Sequence, residues 1–588
     1  MRVRLARAAA VGRRRKLPET LKSNLSANSN AGEDARTEEH SRDSGMLVFR
    51  EGRRSVAAAA LLKRLDSSLA AASSHAIHSG HALLAAFLHA GELECALQDI
   101  GSETGRDAAA LTDTLAECLV QKKSPPLGLM QKSIQALSSA SLPRSLTVSL
   151  AEGFAYYALH PLDYVEALIR EDEAPPTAMV VGIRSIGTTL SAVVRAHLSS
   201  RNIKCDRFTV RPVGQPFDRR VELDARKTQA VARAIAEGAT FYVVDEGPGL
   251  SGSSFLATAE ALLREGVSSS KIILICSNQA DFNALLAANA AQRWQRFRTI
   301  QAKAGSHLPR DATTFFGGGL WRERCFATKE EWPASWLQME RLKFLSHDQR
   351  ELFRFDGLGS YGSEVRQRYL KVAEGGYGPS CENAGNGFTC FPMVKGVTGR
   401  EVTPALVRRA AEYCAFRSRE LQADVDSNAV LEEMARINLE RELGCAIGDE
   451  FCLETVRPVI PDGKMMLHEW LKPEEGAPWL KLDSAAHGDD HFFPGATDIA
   501  WDIAGTIIEW QMDASAADEF LNFYERAAND RIRARLRSYR IAYGAFRMGY
   551  SKMAAAAMSG QEEQTRLLRD YEFYKERLAR MLTLEAVV

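Results

Sequence analysis

Fifteen residues near the middle of the chain, FYVVDEGPGLSGSSF at positions 241–255, combine residue types that suit a phosphorylated sugar. Two acids, Asp245 and Glu246, end an apolar run and directly precede a glycine-rich loop. Carboxylates repel a phosphate but accept hydrogen bonds from vicinal hydroxyls, so we assign them to a ribose. The loop offers glycines for close approach, hydroxyl donors, and the N-terminus of a following helix, which favours an anion. The candidate phosphate-binding residues are Gly247, Gly249, Ser251, Gly252, Ser253 and Ser254.

Three short apolar runs predict the elements that position this loop. They lie at residues 178–181, 241–244 and 271–276, and helical patterns separate them. Strands that alternate with helices of this length predict a parallel sheet flanked by helices. Ligands of such sheets bind at the carboxyl ends of the strands. Two loops leave strands at that end: residues 245–254, and the turn within VVGIRSIGTTLS at 180–191.

These two motifs, about 60 residues apart, resemble those of type I phosphoribosyltransferases over roughly residues 177 to 280. The resemblance implies Mg²⁺-dependent transfer from phosphoribosyl diphosphate to an acceptor, with release of pyrophosphate. Asp245 and Glu246 would then be the catalytic and metal-binding acids. The earlier turn would hold the pyrophosphate, and Arg184 suits a diphosphate because its guanidinium forms forked hydrogen bonds. The residues that carry this second motif are Gly182, Ile183, Arg184 and Ser185.

The acceptor and the reaction stay open at this point. The loop is one residue longer than is usual in the family, and GPGL at 247–250 has no acid or hydroxyl that would act at a base. A sensor that binds a phosphoribosyl compound or nucleotide without turnover is therefore an alternative. GPGLSG also matches GxGxxG, which with Asp281 would indicate an NAD-dependent oxidoreductase. A tight turn with capping serines is a further alternative, and the absence of GK[ST] excludes a P-loop.

Three arginines lie between the two motifs, in RPVGQPFDRR at 211–220. Arg211, Arg219 and Arg220 either close over the diphosphate or belong to a solvated loop.

The C-terminal half resembles aminoglycoside and choline kinase-like phosphotransferases in the order of its motifs. A strand, a glycine turn and a helix bearing Glu364 follow residue 350, and Arg354 stands near the usual nucleotide lysine position. Asp483 would be the metal-binding acid, and Asp502-Ile503-Ala504 fits the distal Asp-Leu-Ala.

The catalytic loop departs from that family. The matching place reads His468-Glu469-Trp470, without the base Asp and the Asn. We therefore favour a kinase-like fold without ordinary kinase activity. An active small-molecule kinase with rearranged residues and an unrelated helical domain remain alternatives.

One histidine-rich stretch, HGDDHFFPG at 487–495, raises the question of a metal. Two histidines spaced by four residues suit zinc on a helix, but the glycines and proline favour a polar loop. The residues concerned are His487, Asp489, Asp490 and His491.

Composition sets the frame for these sites. The 588 residues carry a net charge of −1, so nucleic acid and membrane partners are not expected. The ten cysteines contain no CxxC pair, which indicates a reduced, cytoplasmic protein. The predicted fold class is multidomain α/β: a parallel-sheet phosphoribosyltransferase-like domain plus an α+β kinase-like, helix-rich C-terminal domain. A homo-oligomer is possible.

The predicted domains follow these composition changes. They are a disordered basic and polar tail at 1–45, a helical region at 46–170, the phosphoribosyltransferase-like domain at 171–300, a connecting segment at 301–341, and the kinase-like domain at 342–588.

Overall fold

The computed structural model describes most of the chain from residue 53 onward. The described ranges are 53–73, 79–171, 175–215, 217–249, 251–277, 285–303, 307–424, 426–448, 451–473, 477–489 and 492–583. The predicted tail at 1–45 lies outside them. No helix in these ranges is long and apolar enough to cross a membrane.

The first part of the chain is helical, as its apolar spacing predicts, with one difference. Residues 53–57, which continue the helical pattern by sequence, form a strand because they pair antiparallel with residues 145–149. Leu146 and Val148 of that partner strand are buried and anchor the pair to the core. The elements are β1 (Arg53–Ala57), α1 (Ala58–Ser73), α2 (Ser79–Asp99), α3 (Gly105–Gln121), α4 (Leu127–Ser139), β2 (Ser145–Ser149), α5 (Glu152–Ala155) and α6 (Leu162–Ile169).

A five-stranded parallel sheet follows, with the order β4-β3-β7-β8-β9. The three predicted strands are confirmed as β3, β7 and β8, and a separate short hairpin of β5 and β6 lies between β4 and β7 in the chain. The elements are β3 (Thr177–Ile183), α7 (Ile186–Ser200), β4 (Lys204–Val210), β5 (Val213–Gln215), β6 (Asp218–Arg220), α8 (Ala225–Ala236), β7 (Thr240–Val244), α9 (Ser253–Arg264), β8 (Ile272–Cys276), α10 (Ala290–Trp294) and β9 (Arg298–Gln301).

The two faces of this sheet enter different cores. One face packs with α7 and with the N-terminal helices in a continuous core, which also includes Phe353 and Phe388 of the C-terminal half. The other face packs with α8, α9 and the buried Trp294 of α10. The N-terminal helices therefore share one hydrophobic core with the parallel sheet.

The C-terminal half begins with an antiparallel sheet of order β10-β11-β12-β14-β13, in which a helix follows the central strand. Its first strand comes from the predicted connecting segment, since Thr314 and Phe315 pair with Leu345 and Phe344. The elements are β10 (Thr314–Phe315), α11 (Arg322–Cys325), β11 (Lys343–Leu345), β12 (Glu351–Phe355), α12 (Ser360–Glu374), β13 (Glu382–Gly385) and β14 (Phe388–Pro392).

The remainder is mostly helical and has its own large core, rich in Trp, Tyr and Phe. The predicted helical character of residues 512–585 is confirmed by α16 to α18. The elements are β15 (Val397–Thr398), α13 (Pro404–Glu420), α14 (Asn428–Leu443), β16 (Pro458–Val459), β17 (Trp470–Lys472), β18 (Leu480–Lys481), β19 (Thr497–Asp498), α15 (Ala500–Glu509), α16 (Ala514–Ala528), α17 (Arg533–Ala557) and α18 (Glu562–Thr583).

Candidate functional site

The two predicted strand-end loops meet at the carboxyl end of the parallel sheet. Adjacent strands β3 and β7 bring them together, and Gly187 packs so closely that a Cβ there would lie 2.7 Å from the carbonyl oxygen of Val244. Ser185, in the first loop, has φ +110° and ψ −122°, a conformation that a non-glycine residue rarely adopts. Such strain persists only where the surroundings enforce it, and it often marks a ligand site.

The loop after β7 has the predicted form of a turn that enters a helix. Gly252 has φ +68° immediately before α9 begins at Ser253, so a side chain at position 252 would be strained. Ser253 donates its backbone N–H to Oγ of Ser251 at 3.2 Å. Asp281, which the dinucleotide interpretation requires, lies outside the described residues.

Asp245 lies beside the junction of the two loops. Its Oδ1 accepts the backbone N–H of Glu246 at 2.9 Å, and Tyr164 donates its hydroxyl to the Asp245 carbonyl at 2.6 Å. Burial raises the pKa of this carboxyl to about 7, although Arg211 and Arg219 oppose the shift. Asp245 therefore changes charge near neutral pH.

Glu246 is covered by a segment that the sequence did not point to. Its side chain accepts the backbone N–H of Gly153 in α5 at 3.1 Å, and the residue is 1% exposed. A Cβ at position 153 would lie 2.5 Å from the Glu246 carboxylate, so the glycine permits this close cover. In this conformation, Glu246 binds the protein backbone instead of facing a ribose.

The two candidate diphosphate arginines share one acid at the end of α2. Arg184 donates from Nη1 to Asp99 Oδ1 at 3.0 Å, and Arg211 donates from Nε to the same oxygen at 3.1 Å. Sequence analysis missed Asp99 because it lies 85 residues before Arg184 and in no motif. Arg220, on the hairpin, is exposed beside Asp218.

A second candidate site lies beyond the parallel sheet, between the antiparallel sheet and the helical remainder. A cavity of about 590 Å³, here called the large cavity, is lined by both parts and by the chain that joins them at residues 391–398. A cavity of about 150 Å³, here called the small cavity, adjoins it. The residues that line both cavities, here called the shared cluster, are Trp321, Lys343, Arg354, His468, Glu469 and Asp483.

Arg354 is the buried cation of the shared cluster. It donates to Asp356 at 2.8 Å and also contacts Asp483 and the Tyr369 hydroxyl. Although burial opposes the charge, Asp356 and Asp483 raise the pKa of Arg354 well above its usual value. Glu364, the helix acid singled out by sequence, instead lines a separate cavity of about 40 Å³ with Arg54 and Arg64. Tyr369, and not Glu364, is therefore the residue of α12 that contacts Arg354.

The carboxylates of the shared cluster face one imidazole. His487 Nε2 lies 3.2 Å from Asp483 Oδ2 and 3.6 Å from Glu469 Oε1. Burial opposes its protonation, yet Asp483 raises the pKa of His487 to about 8. The buried Lys481 donates to Glu469 at 2.9 Å. Burial of Glu469 raises its pKa, but Lys481 outweighs that effect and the pKa is lowered to about 2. Both carboxylates are ionised at neutral pH.

Among the four candidate metal ligands of the histidine-rich stretch, His487 is the one whose side chain is described. It belongs to a short 3₁₀ helix, while Asp490 and His491 lie outside the described residues. Within the described ranges, no group of three or more His, Cys, Asp or Glu residues is arranged to hold a metal.

A buried aspartate that no sequence motif singled out directly precedes two residues that line the small cavity. Asp462, six residues before His468, accepts the Tyr413 hydroxyl at 2.6 Å and lies 3.2 Å from Lys481 Nζ. Asp502 accepts the backbone N–H groups of Asp462 and Gly463 at 2.9 and 3.0 Å. The fixed turn directs Gly463 and Lys464 to the small cavity, while the Asp462 side chain is fully buried.

No family model matches the sequence, and no curated protein matches it. Several solved structures are similar at low identity. A choline/ethanolamine kinase family protein from Mesorhizobium loti is 13% identical over 45% of this chain and 97% of its own, with a TM-score of 0.29. Macrolide 2'-phosphotransferase MphH from Brachybacterium faecium is 12% identical over 40% and 88%, with a TM-score of 0.28. Choline kinase LicA from Streptococcus pneumoniae is 12% identical over 41% and 89%, with a TM-score of 0.25.

Proposed function

We propose that the C-terminal half is a small-molecule phosphotransferase that binds a nucleoside triphosphate in the large cavity and its acceptor in the small cavity. The observation that carries this proposal is the meeting of the two cavities at the shared cluster. A volume of about 590 Å³ falls within the range of ligand pockets. Its walls include Leu352, Phe391, Leu471 and Leu482, which suit an apolar ring, while its inner end is charged.

Mg²⁺ fits the acids of this inner end. Asp483 and Glu469 present carboxylate oxygens, and Mg²⁺ commonly binds through one or two carboxylates together with waters and substrate phosphates. Asp483 is paired with Arg354 and His487, and Glu469 with Lys481, so these two residues would hold the ion only by giving up part of that pairing. When bound, the ion neutralises charge on the phosphates. Asp245 and Glu246, the acids predicted by sequence to bind Mg²⁺, belong to the site at the strand-end loops of the parallel sheet.

The remaining residues of the shared cluster bind and orient the reactants. Lys343 and Arg354 place positive charge at the junction, where charge on the transferred phosphoryl group must be stabilised. Burial lowers the pKa of His468 to about 4, so its imidazole is neutral at pH 7. The His468 ring stacks on Trp321 with centroids 5.8 Å apart and lines both cavities. In this position it would accept a hydrogen bond from the acceptor hydroxyl.

Calorimetric titration with ATP or GTP, with and without Mg²⁺, tests the proposal. We expect Mg²⁺ to tighten nucleotide binding to the wild type, and Asp483→Asn to weaken Mg²⁺-nucleotide binding by about tenfold or more while removing the Mg²⁺ effect. Asp424→Asn, at an exposed position of the same half, should change neither. Absence of nucleotide binding to the wild type would refute the proposal, as would an unchanged Mg²⁺ effect in Asp483→Asn.

A second candidate function concerns the strand-end loops. Their contact through Gly187 and the strained Ser185 favour a site for phosphoribosyl diphosphate. The covered Glu246 and the pairing of Arg184 and Arg211 with Asp99 favour binding without turnover over transfer to an acceptor. We therefore propose a phosphoribosyl-binding sensor site here, and keep phosphoribosyl transfer with pyrophosphate release as the alternative.

The pH dependence of phosphoribosyl diphosphate binding tests this second candidate. If the ionised Asp245 accepts the ribose hydroxyls, affinity should rise by roughly tenfold from pH 6 to pH 8, because a carboxyl with pKa about 7 loses its proton over that interval. Asp245→Asn should bind weakly and show only the pH dependence of the ligand itself. Asp206→Asn, an exposed acid on β4, should retain the wild-type profile. Equal slopes for wild type and Asp245→Asn would exclude Asp245 from the site.

A further inference from the structure

Aromatic rings form the wall of the small cavity. Trp336 and Phe492 stack with centroids 4.8 Å apart and planes inclined by 14°. Tyr550 contacts both edge-on, at 5.6 and 5.5 Å, and Phe493 and Phe546 extend the wall. A wall of this kind binds a flat, largely apolar molecule, and about 150 Å³ suits one of the size of a single ring.

The acids that line the small cavity are all paired with cations, whereas one of the cations that line it forms no ion pair with a described acid. Each of the three carboxylates that line the small cavity has a cationic partner: Glu340 pairs with Lys343 at 3.2 Å, Glu469 with Lys481, and Asp483 with Arg354 and His487. A cationic ligand would therefore have to displace an existing ion pair.

Lys464, which lines the same cavity, makes no hydrogen bond or ion pair with any described residue. Burial, and next the neighbouring Arg547, lower its pKa, whereas Glu469, Glu509 and Asp483 oppose that shift. Arg547 also lines the cavity, and its only acid partner among the described residues is Glu509, at 3.3 Å. Glu509 is further engaged by the hydroxyls of Tyr543 and Tyr574. Burial raises the pKa of the nearby Asp570 to about 6, and Asp570 does not line the cavity.

We infer that the small cavity takes an anionic acceptor: an aromatic or similarly flat molecule with a carboxylate or phosphate held by Lys464 and Arg547 and a hydroxyl directed to the shared cluster. The inference rests on the proposed phosphotransferase function and names its substrate class. Lys464 is half-buried and forms no ion pair with a described acid, so an anion on the ligand would offset the cost of removing its ammonium from water. The fixed turn at Asp462 and Gly463 holds Lys464 in place through Asp502, so the cation is preorganised.

Three probes of similar size and different charge test the inference. They are 4-(hydroxymethyl)benzoate, the neutral 4-(hydroxymethyl)benzamide, and 4-(hydroxymethyl)benzylammonium. Binding is measured by calorimetry and by quenching of tryptophan fluorescence, with a non-hydrolysable ATP analogue and Mg²⁺ present. We expect the benzoate to bind at least tenfold more tightly than the amide and the ammonium compound to bind most weakly.

Variants at position 464 locate the effect. Lys464→Met should remove most of the preference for benzoate over amide and leave the part due to Arg547, Lys464→Arg should retain most of it, and Lys371→Met, at an exposed lysine of α12, should retain all of it. Tighter binding of the ammonium probe, or an unchanged preference in Lys464→Met, would overturn the inference.

The phosphotransferase proposal and the anionic-acceptor inference can each be refuted without the other. If the nucleotide binds with the expected dependence on Asp483 but the charge preference is absent, only the anionic-acceptor inference is wrong. If the benzoate preference depends on Lys464 while no nucleotide binds, the anion site stands and the phosphotransferase proposal is wrong.

Discussion

Replacement of Arg207 by Met is expected to lower the free energy of unfolding of the N-terminal half by roughly 3–5 kcal/mol, because it leaves a buried acid without its partner. Arg207 lies on β4 and forms a forked pair with Glu94 of α2, at 3.0 Å from each oxygen, while its Nε donates to Asp113 of α3 at 2.7 Å. The side chains of Arg207 and Glu94 are 2% and 1% exposed. Burial already raises the pKa of Glu94, and Arg207 opposes that shift.

Hydrogen exchange resolved by segment is the suitable measurement, because a chain of several cores need not unfold in two states. Protection should fall in α2, α3 and β4 of Arg207→Met, and remain in α16 to α18. Arg201→Met, an exposed arginine at the end of α7, should change stability by less than about 0.5 kcal/mol.

A double variant distinguishes an uncompensated charge from lost packing. Arg207→Met/Glu94→Leu removes both charges and should be more stable than Arg207→Met alone. If the double variant is less stable than the single one, the acid is not the cause of the destabilisation.

The same Arg207 explains where sequence reasoning failed in the parallel sheet. Strands β3, β7 and β8 are continuous apolar runs, as expected for parallel strands buried on both faces, and the sequence predicts them. Strand β4 reads KCDRFTV, and its charged residues hide it. Arg207 is buried because Glu94 and Asp113, about 100 residues earlier, neutralise it. No local pattern contains that information.

The candidate sites divide in a similar way. The positions of the loops at 182–185 and 245–254 follow from strand ends and glycine patterns, which are local. Gly153 covers Glu246, and Asp99 is the partner of both Arg184 and Arg211. Both are tertiary contacts between distant segments, so the sequence cannot show them.

The C-terminal site was partly predictable. Arg354 and Asp483, assigned to one site from motif order, are in contact. The cavities and the contacts of Asp462 were not predictable, since they depend on how α13, α15 and the loop at 460–464 pack. The weak signal for Asp462 was the tripeptide Pro-Asp-Gly, which marks a turn as readily as a site.

Arg417→Met is expected to destabilise the helical remainder by roughly 3–5 kcal/mol, because Arg417 is the guanidinium between two buried acids. Its Nε lies 3.3 Å from Asp502 Oδ2, its Nη1 lies 3.8 Å from Asp462 Oδ2, and all three side chains are fully buried. Nη1 also donates to the Tyr413 hydroxyl at 2.8 Å and to the Ser484 carbonyl at 2.7 Å. Hydrogen exchange of residues 404–420 and 500–509 measures the loss, and Arg408→Met, whose exposed pair with Glu412 is worth little, serves as the control.

The effect of Arg417→Met should depend on pH in a direction that identifies its cause. Burial raises the pKa of Asp502 to about 6, Arg417 opposes that shift, and Asp462 adds to it. An acid whose pKa is higher in the folded than in the unfolded protein binds a proton more readily when folded. The free energy of unfolding therefore rises as the pH falls through the folded pKa. Without Arg417, the pKa of Asp502 rises further, and the variant should recover part of its stability at pH 5 relative to pH 8. A destabilisation that is equal at both pH values would indicate lost packing and not an uncompensated charge.

Since Asp502 also holds the backbone of Asp462 and Gly463, the same variant should weaken binding of the anionic probe next to Lys464, whereas Arg408→Met should not.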